Sequence, residues 1–552
     1  MVIPMKPKIK QYERFELESK GPVEFISPGG KSITAEPFEY LPVEFTYDCE
    51  GEESVRPTGA AVKLVRFFPD EPGVYKYDGG EFECVPGESH GYVEVSKRDS
   101  RYFAFTDGTS FCPIGINLAF ISPFGKSNGK EFGRTGFRYL GLRQYERWFR
   151  ECQKNGVNLV RIWLGHEYFC PDTEEAGRFD PIKLAKIEAL ASLAKKYGIK
   201  LKLTLEQFRY FDYSRTADSD SYADDVFRKF NKRLYIGDKR CESSAEWLSG
   251  GEWREKWLLK VRELARRFSG DPTIFGIELW NEMNFMPFEE MLDWNRYMLP
   301  SVKAMFPKQL VMNSLGSFDS DGSKRCYERF CWELTDIKQM HRYLDQGAQY
   351  EICRENPIDL IRGGMEMLAE PDKPFLVAET GAVNDCHSGP FRYYCADHRG
   401  ILFCDLVYTP LFCGAAGCGH IWHWDDRYVE SKNLYRYFKP LMKLCEGVEF
   451  DREDFHADLW EDGDMILLML RGRTTVLGYL RNRHDNWMNT LRDLKETMPL
   501  EDKQIDVSLP GEPEVIPIWD DETAEVMYGG RLCVKKLRYG VLLRSTNIKH
   551  KK

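Results

Sequence analysis

The chain has 552 residues, 14% of them aromatic, and a net charge of −10, so it is too long for one hydrophobic core and two or three globular domains are expected. Its basic residues are scattered through an acidic whole, which excludes a phosphate-backbone partner, and nucleic acid is set aside. No stretch approaches ~18 uncharged apolar residues and no apolar core follows Met1-Val2-Ile3-Pro4-Met5-Lys6, so no membrane span or signal peptide is expected and the predicted location is cytoplasmic.

Sixteen cysteines run from Cys49 to Cys533 without a CxxC pair. That usage argues for free thiols in a reducing compartment over metal knuckles or a disulfide framework. The 13 Trp and 28 Tyr exceed ordinary core needs; they suit either flat sugar faces or several β-rich cores.

Up to residue 109 the chain reads as short strands. Val74-Tyr75-Lys76-Tyr77 and Glu81-Phe82-Glu83-Cys84 alternate their faces around Asp78-Gly79-Gly80, a hairpin pattern. An N-terminal β-sandwich over residues 1–109 is predicted. From 110 to 446 apolar strands alternate with amphipathic helices. Eight strands are read at 111–116, 159–164, 200–205, 274–279, 310–313, 337–340, 375–378 and 419–422. Asp180 caps a helix that starts at Pro181, turns Ile187, Leu190, Ala194 and Tyr197 to one side, and stops before Gly198. Eight such units predict a (β/α)8 TIM barrel. No glycine-rich phosphate loop follows the first strand, which disfavours a dinucleotide fold. A second β-sandwich is predicted over 447–552, with strands 465–470 and 475–480 around Arg471-Gly472-Arg473-Thr474 and a strand pair within 531–543 around Tyr539-Gly540. The basic tail 549–552 is read as solvated.

Barrels place their chemistry where strands end at the C-terminal face. The residues there are polar and aromatic: Asn117 after the first strand, Arg161 and His166 from the second, Glu206 from the third, Asn281 and Glu282 from the fourth, His341 and Tyr343 from the sixth, Glu379 from the seventh, and Trp422, His423, Trp424 and Asp425 from the eighth. Two apolar runs end abruptly in an acid, Leu279-Trp280-Asn281-Glu282 and Leu376-Val377-Ala378-Glu379. Carboxyl groups on two strand tips of one barrel can face each other across a sugar, one protonating the glycosidic oxygen and the other attacking the anomeric carbon.

These landmarks, in this order, resemble the retaining glycoside hydrolases of clan A, the "4/7" barrel superfamily. The leading segment, with Tyr12-Glu13-Arg14-Phe15-Glu16 and Val65-Arg66-Phe67-Phe68-Pro69, is similar to the N-terminal domain of some bacterial members related to family 5. The resemblance implies Glu282 as acid and base, Glu379 as nucleophile, Asn281 on the sugar 2-hydroxyl, Arg161, His341 and Tyr343 around the nucleophile, and Trp422 or Trp424 under the reacting sugar. Asn117, His166, Glu206 and Asp425 are further substrate-contact candidates; no metal or cofactor is implied. The expected activity is hydrolysis of β-linked oligosaccharides or glycosides by double displacement, with exo action on a β-mannoside or β-glucoside. The insert at 208–251, carrying Tyr210, Phe211, Tyr213, Tyr222, Tyr235 and Trp247, is expected to wall one end of the cleft. The competing readings are a carbohydrate-binding protein without turnover and a transglycosylase using the same intermediate. Homo-oligomerisation is left open.

Overall fold

The computed structural model describes residues 7–121, 140–207, 234–369, 372–385 and 389–547. At the N-terminal end, strands Gly73–Tyr77 and Gly80–Val85 form the expected hairpin inside a five-stranded sheet. A three-stranded sheet of Phe15–Glu18, Val62–Phe67 and Phe38–Tyr40 completes the sandwich. Its core is aromatic, with Tyr75 stacked on Phe82 at 5.1 Å and Phe25 on Phe67 at 4.4 Å between ring centroids. This sandwich is bolted to the barrel by the buried Arg66, which donates to Glu16 (2.7 Å), to Glu188 of a barrel helix (2.8 Å) and to the Arg267 carbonyl (3.1 Å).

The first predicted barrel strand is divided. Ser110–Phe111 joins Phe103–Phe105 and Val93–Val95 in an antiparallel sheet under the barrel, and only Gly115–Asn117 enters the barrel. Pro113 lies between the two pieces and has no N–H for a ladder. Parallel pairing then runs through Leu159–Trp163, Lys200–Glu206, Ile274–Trp280 and Leu310–Met312. These strands are buried on both faces because helices cover them outside and the barrel core fills them inside. The fifth and sixth strands meet through a backbone bond from Asp336 N to the Val311 carbonyl (2.8 Å) and through side chains: the Asp336 carboxylate accepts from Val311 N (2.7 Å), and Gln339 Nε2 donates to the Asn313 carbonyl (2.9 Å).

Sixth and seventh strands run past their predicted ends at 340 and 378. They span Lys338–Asp345 and Phe375–Val383, paired to the last residue after a bulge between Met340 and His341. Polar residues at 341, 343 and 379 disguise a strand whose inner face is lined by chemistry. The expected eighth strand at 419–422 is reduced to Ile421, which bridges Ile116 on one side and Thr380 on the other and so closes the barrel. The helix Pro181–Lys196 matches its sequence signals, with the Asp180 carboxylate accepting from Ile182 N at 2.8 Å and Gly198 left-handed at φ 67°.

At the C-terminal end, a five-stranded sheet packs on a three-stranded one around Met465, Leu467, Leu480, Val534 and Val541. The strand pair expected in 531–543 is corrected. Leu532–Leu537 pairs in the small sheet and Gly540–Thr546 in the large one, so the Tyr539-Gly540 turn crosses the sandwich. Alternation alone identifies strands; it does not say which partner each one takes. Of the aromatic insert, Tyr210, Phe211, Tyr213 and Tyr222 lie outside the described residues, as do 548–552. Trp247 is buried in a short helix. No helix of the described residues is long and apolar enough to cross a membrane, and their cysteines are free thiols.

Candidate active site

The fourth strand brings Glu282 to the barrel rim through a strained turn. Beyond Trp280 the chain leaves the ladder, and Glu282 adopts a left-handed conformation (φ 52°, ψ 52°) at the start of a short 3-10 turn, Met283–Phe285. A non-glycine residue in this region costs of order 1–3 kcal/mol and persists only where its surroundings enforce it. The end of the fifth strand supplies the enforcement. Asn313 Oδ1 accepts from Trp280 N (2.8 Å), and Ser314 Oγ accepts from Glu282 N (3.1 Å) while donating to Glu278 (2.9 Å).

Glu379 sits within the seventh strand, in register with His341 of the sixth. Tyr343 donates to Glu379 Oε2 at 2.6 Å, and Arg161 Nη1 donates to Oε1. Gly381 makes room for this arrangement, since a Cβ there would come within 3.3 Å of the Tyr343 ring. His341 Nδ1 lies 2.9 Å from Glu282 Oε1 and 3.5 Å from Glu379 Oε2. Ligand atoms of Glu282, His341 and Glu379 all fall within 4.8 Å of one another. Such a trio could hold a metal ion, but the guanidinium of Arg161 and the ammonium of Lys202 in the same cluster repel a divalent cation, so the geometry suits proton chemistry better.

Beneath the rim lies a layer that sequence reading missed. Glu278 receives Arg161 Nε at 3.0 Å and Lys202 Nζ at 2.9 Å, and Lys202 also donates to Gln339 Oε1 at 2.8 Å. All four residues are buried. The available signal was a lysine between Leu201 and Leu203 in a buried strand, because such a lysine needs a buried acid. Burial opposes the charge on Glu278, but Arg161 and Lys202 outweigh burial and hold it ionised well below the usual carboxylate range. Burial pulls Lys202 down to about 8 despite Glu278.

The two rim acids diverge. Burial, with the neighbouring Glu379 charge second, pushes Glu282 well above the ordinary carboxyl range. Burial also raises Glu379, but Arg161 and Tyr343 work against the rise. His341 is held neutral, mainly by burial and then by Arg161. Asn281 is buried, with its Oδ1 taken by Arg161 Nη2 at 2.6 Å and its Nδ2 without a hydrogen-bond partner among the described residues.

Trp422 is half-buried against Trp163 (5.1 Å) and meets Trp424 edge-on (4.9 Å). Trp424 itself is fully buried against Phe120, one layer behind. Four other candidates are committed elsewhere. Asn117 Nδ2 ties the Ala378 (3.1 Å) and His420 (3.0 Å) carbonyls together, and its Oδ1 accepts from Arg161. His166 stacks flat on Phe120 at 4.7 Å. Glu206 is ion-paired to Lys260 and accepts from Trp257 Nε1 at 3.2 Å. Asp425 is engaged by Arg427 at 2.8 Å. Asn117 thus shares Arg161 Nη1 with Glu379, while the His166, Glu206 and Asp425 contacts run to other residues of the barrel wall and rim.

Residues 126–399 match the sequence model of the cellulase family, glycosyl hydrolase family 5. Among solved structures, a Bacteroides vulgatus protein provisionally assigned as a glycoside hydrolase superposes with a TM-score of 0.56 at 15% identity, over 98% of this chain and 100% of that one. A family 5 glycoside hydrolase from the same organism superposes with a TM-score of 0.51 at 13% identity, over 84% and 95%. At these identities the likeness speaks for the fold, down to the flanking sandwiches. No curated protein sequence matches the chain.

Proposed function

We propose that this chain, whose barrel carries a glycoside hydrolase family 5 domain at residues 126–399, is a retaining β-glycosidase in which Glu379 is the nucleophile and Glu282 the acid and base. The observation that carries the reading is the asymmetric pair: carboxylate oxygens within 4.8 Å of each other, one acid bound by Arg161 and Tyr343 and the other raised by burial. Retention goes with carboxyl groups ~5–5.5 Å apart, and inversion with wider pairs that leave room for water.

In the first half-reaction Glu379 attacks the anomeric carbon as Glu282 protonates the departing oxygen, forming a glycosyl ester on Glu379. Esterification removes the negative charge that helps hold the Glu282 pKa up. Glu282 then becomes a competent base, takes a proton from water, and the hydroxide equivalent displaces the sugar from Glu379. Neutral His341 hydrogen-bonds Glu282 and fixes its carboxyl plane. The unpartnered Nδ2 of Asn281 suits the sugar 2-hydroxyl, a contact that strengthens as oxocarbenium character develops. Trp422 is the ring placed to lie under the reacting sugar. For substrate we favour exo action on β-mannosides or β-glucosides.

A panel of aryl α- and β-glycosides, with the anomer of the first product read by NMR, tests this. The expected result is hydrolysis of a β-glycoside with a β-configured first product. An α-configured first product would overturn the double displacement, and products longer than one sugar from oligosaccharides would overturn the exo mode.

A further inference from the structure

We propose that Lys202 is a positioning residue of the glycosidase reaction: its buried ammonium balances Glu278 from inside the barrel, so that Arg161 can also hold Glu379 as the anionic nucleophile. The inference rests on the assignment of Glu379 as that nucleophile. Lys202 lies within the third strand, Lys200–Glu206, as the register partner of Arg161 on the second. Its Nζ is 2.9 Å from Glu278 Oε2 and 2.8 Å from Gln339 Oε1. Its chain neighbours Leu201 and Leu203 are buried and apolar. An aliphatic residue at 202 would fill the barrel without electrostatic cost, whereas a buried ammonium is costly even when paired.

The reason for the ammonium is charge balance. Arg161 is divided between two carboxylates, with Nε (3.0 Å) and Nη2 on Glu278 and Nη1 on Glu379. One guanidinium cannot neutralise both. Lys202 supplies the second positive charge, since burial brings it down only to about 8 and leaves it a cation at acid and neutral pH. The other titratable groups that feel it are His341 of the sixth strand and His420 beside Ile421, both held neutral mainly by burial. Arg161, Lys202, Glu278 and Glu379 therefore sum to zero while Glu282 is protonated. The sum stays zero along the reaction, because Glu282 gains the negative charge that Glu379 loses on forming its ester. Without Lys202 the buried cluster would carry an uncompensated negative charge, and a proton would settle on the acid held less firmly. That acid is Glu379, which burial already raises, and not Glu278, which Arg161 grips through two nitrogens. A protonated Glu379 cannot attack.

The test compares the pH profiles of kcat/KM for wild type, Lys202→Gln, Lys202→Met and the double variant Lys202→Met/Glu278→Gln, on one aryl glycoside that the wild type cleaves. In both single variants the acid limb is expected to move up by about one pH unit, the low end of what a nearby opposite charge does to a carboxyl group. That is about a tenfold loss on the acid side and far less at the optimum. Glutamine can still hydrogen-bond Glu278 and Gln339, so a limb that moves with it reports charge and not packing. The double variant removes one charge of each sign and should return the limb to the wild-type position. An unmoved limb in folded Lys202→Gln would overturn the proposal, as would a double variant whose limb stays with that of the single variants. If neither single variant folds, a double variant that folds with the wild-type limb shows the same balance, and one that fails to fold or keeps a displaced limb overturns it. Each of these failures leaves the glycosidase reading standing; a wild type that cleaves no glycoside takes both down.

Discussion

Two buried arginine–carboxylate clusters sit at different places in this molecule, and only one of them has anything left to offer a ligand. Where the helix Ile401–Phe412 meets the C-terminal sheet, Arg481 donates to Asp405 (2.9 Å), Asp485 (3.0 Å) and the Tyr539 carbonyl (2.7 Å), while Tyr479 donates to Asp405 (2.7 Å). Arg399 and Thr497 complete Asp485. At the barrel rim, Arg161 is as fully engaged, yet Asn281 Nδ2 and His341 Nε2 lack partners among the described residues and Glu282 is driven toward its neutral form. Buried ion pairs alone therefore do not mark a site. Unfinished hydrogen bonding beside a carboxyl group of raised pKa does.

The comparison can be broken from either side. Glu379→Gly should produce the largest change, abolishing turnover while leaving the fold intact, with azide or formate restoring part of it by taking the nucleophile's place; unaided activity near wild type would exclude Glu379. Glu282→Ala should cost about 10²–10⁴-fold on substrates with poor leaving groups and far less where the leaving group needs no proton. In the closed cluster, Arg481→Met should leave activity per folded molecule unchanged and cost about 3–5 kcal/mol of stability in a denaturant titration, because it strands two buried carboxylates.

A smaller effect is expected from Tyr343→Phe, which removes one hydrogen bond to a charged group, about 1.5–3 kcal/mol or roughly 10- to 150-fold in kcat. A change confined to KM would instead make Tyr343 a substrate contact. The subtlest difference lies in pH. Asp485 is depressed, with burial opposing and Arg481 and Arg399 prevailing, so its contribution is present above the unfolded carboxyl pKa and is lost as pH falls toward the folded value. Glu282 is raised, so the folded state loses stability as pH climbs from the unfolded value toward the folded one. Glu282→Gln should therefore be more stable than wild type, by a margin that grows with pH over that window. A margin independent of pH would deny the raised pKa. In turnover, activity should fall at low pH as Glu379 protonates and at high pH as Glu282 ionises.

Much of this was legible in the sequence because it is written in local periodicity. Alternating apolar runs and amphipathic stretches, punctuated by Asp180-Pro181 and Gly198, specify the barrel; an apolar run that ends in an acid marks a strand tip at Glu282, but at Glu379 the strand runs on to Val383. Pairing was less legible. The crossing at Tyr539-Gly540, the single bridging residue of the eighth strand and the long ladder from Lys338 to Asp345 all depend on partners distant in sequence.

At the site the same division holds. By itself the chain pointed to Glu282, Glu379, Arg161, His341 and Tyr343 as strand-associated residues of one barrel, since residue type and strand order carry that information, although Arg161, His341, Tyr343 and Glu379 lie within their strands and not at the ends. Only tertiary structure decided that Arg161 is shared between Glu278 and Glu379, that Trp422 is half-buried while Trp424 is fully buried against it, and that Asn117, Glu206, His166 and Asp425 are engaged by neighbouring groups. Polarity shows that a side chain needs a partner; which partner it finds is set by packing between elements that the sequence keeps apart, and burial raises both rim carboxyl groups while Arg161 and Tyr343 work against the rise at Glu379 alone.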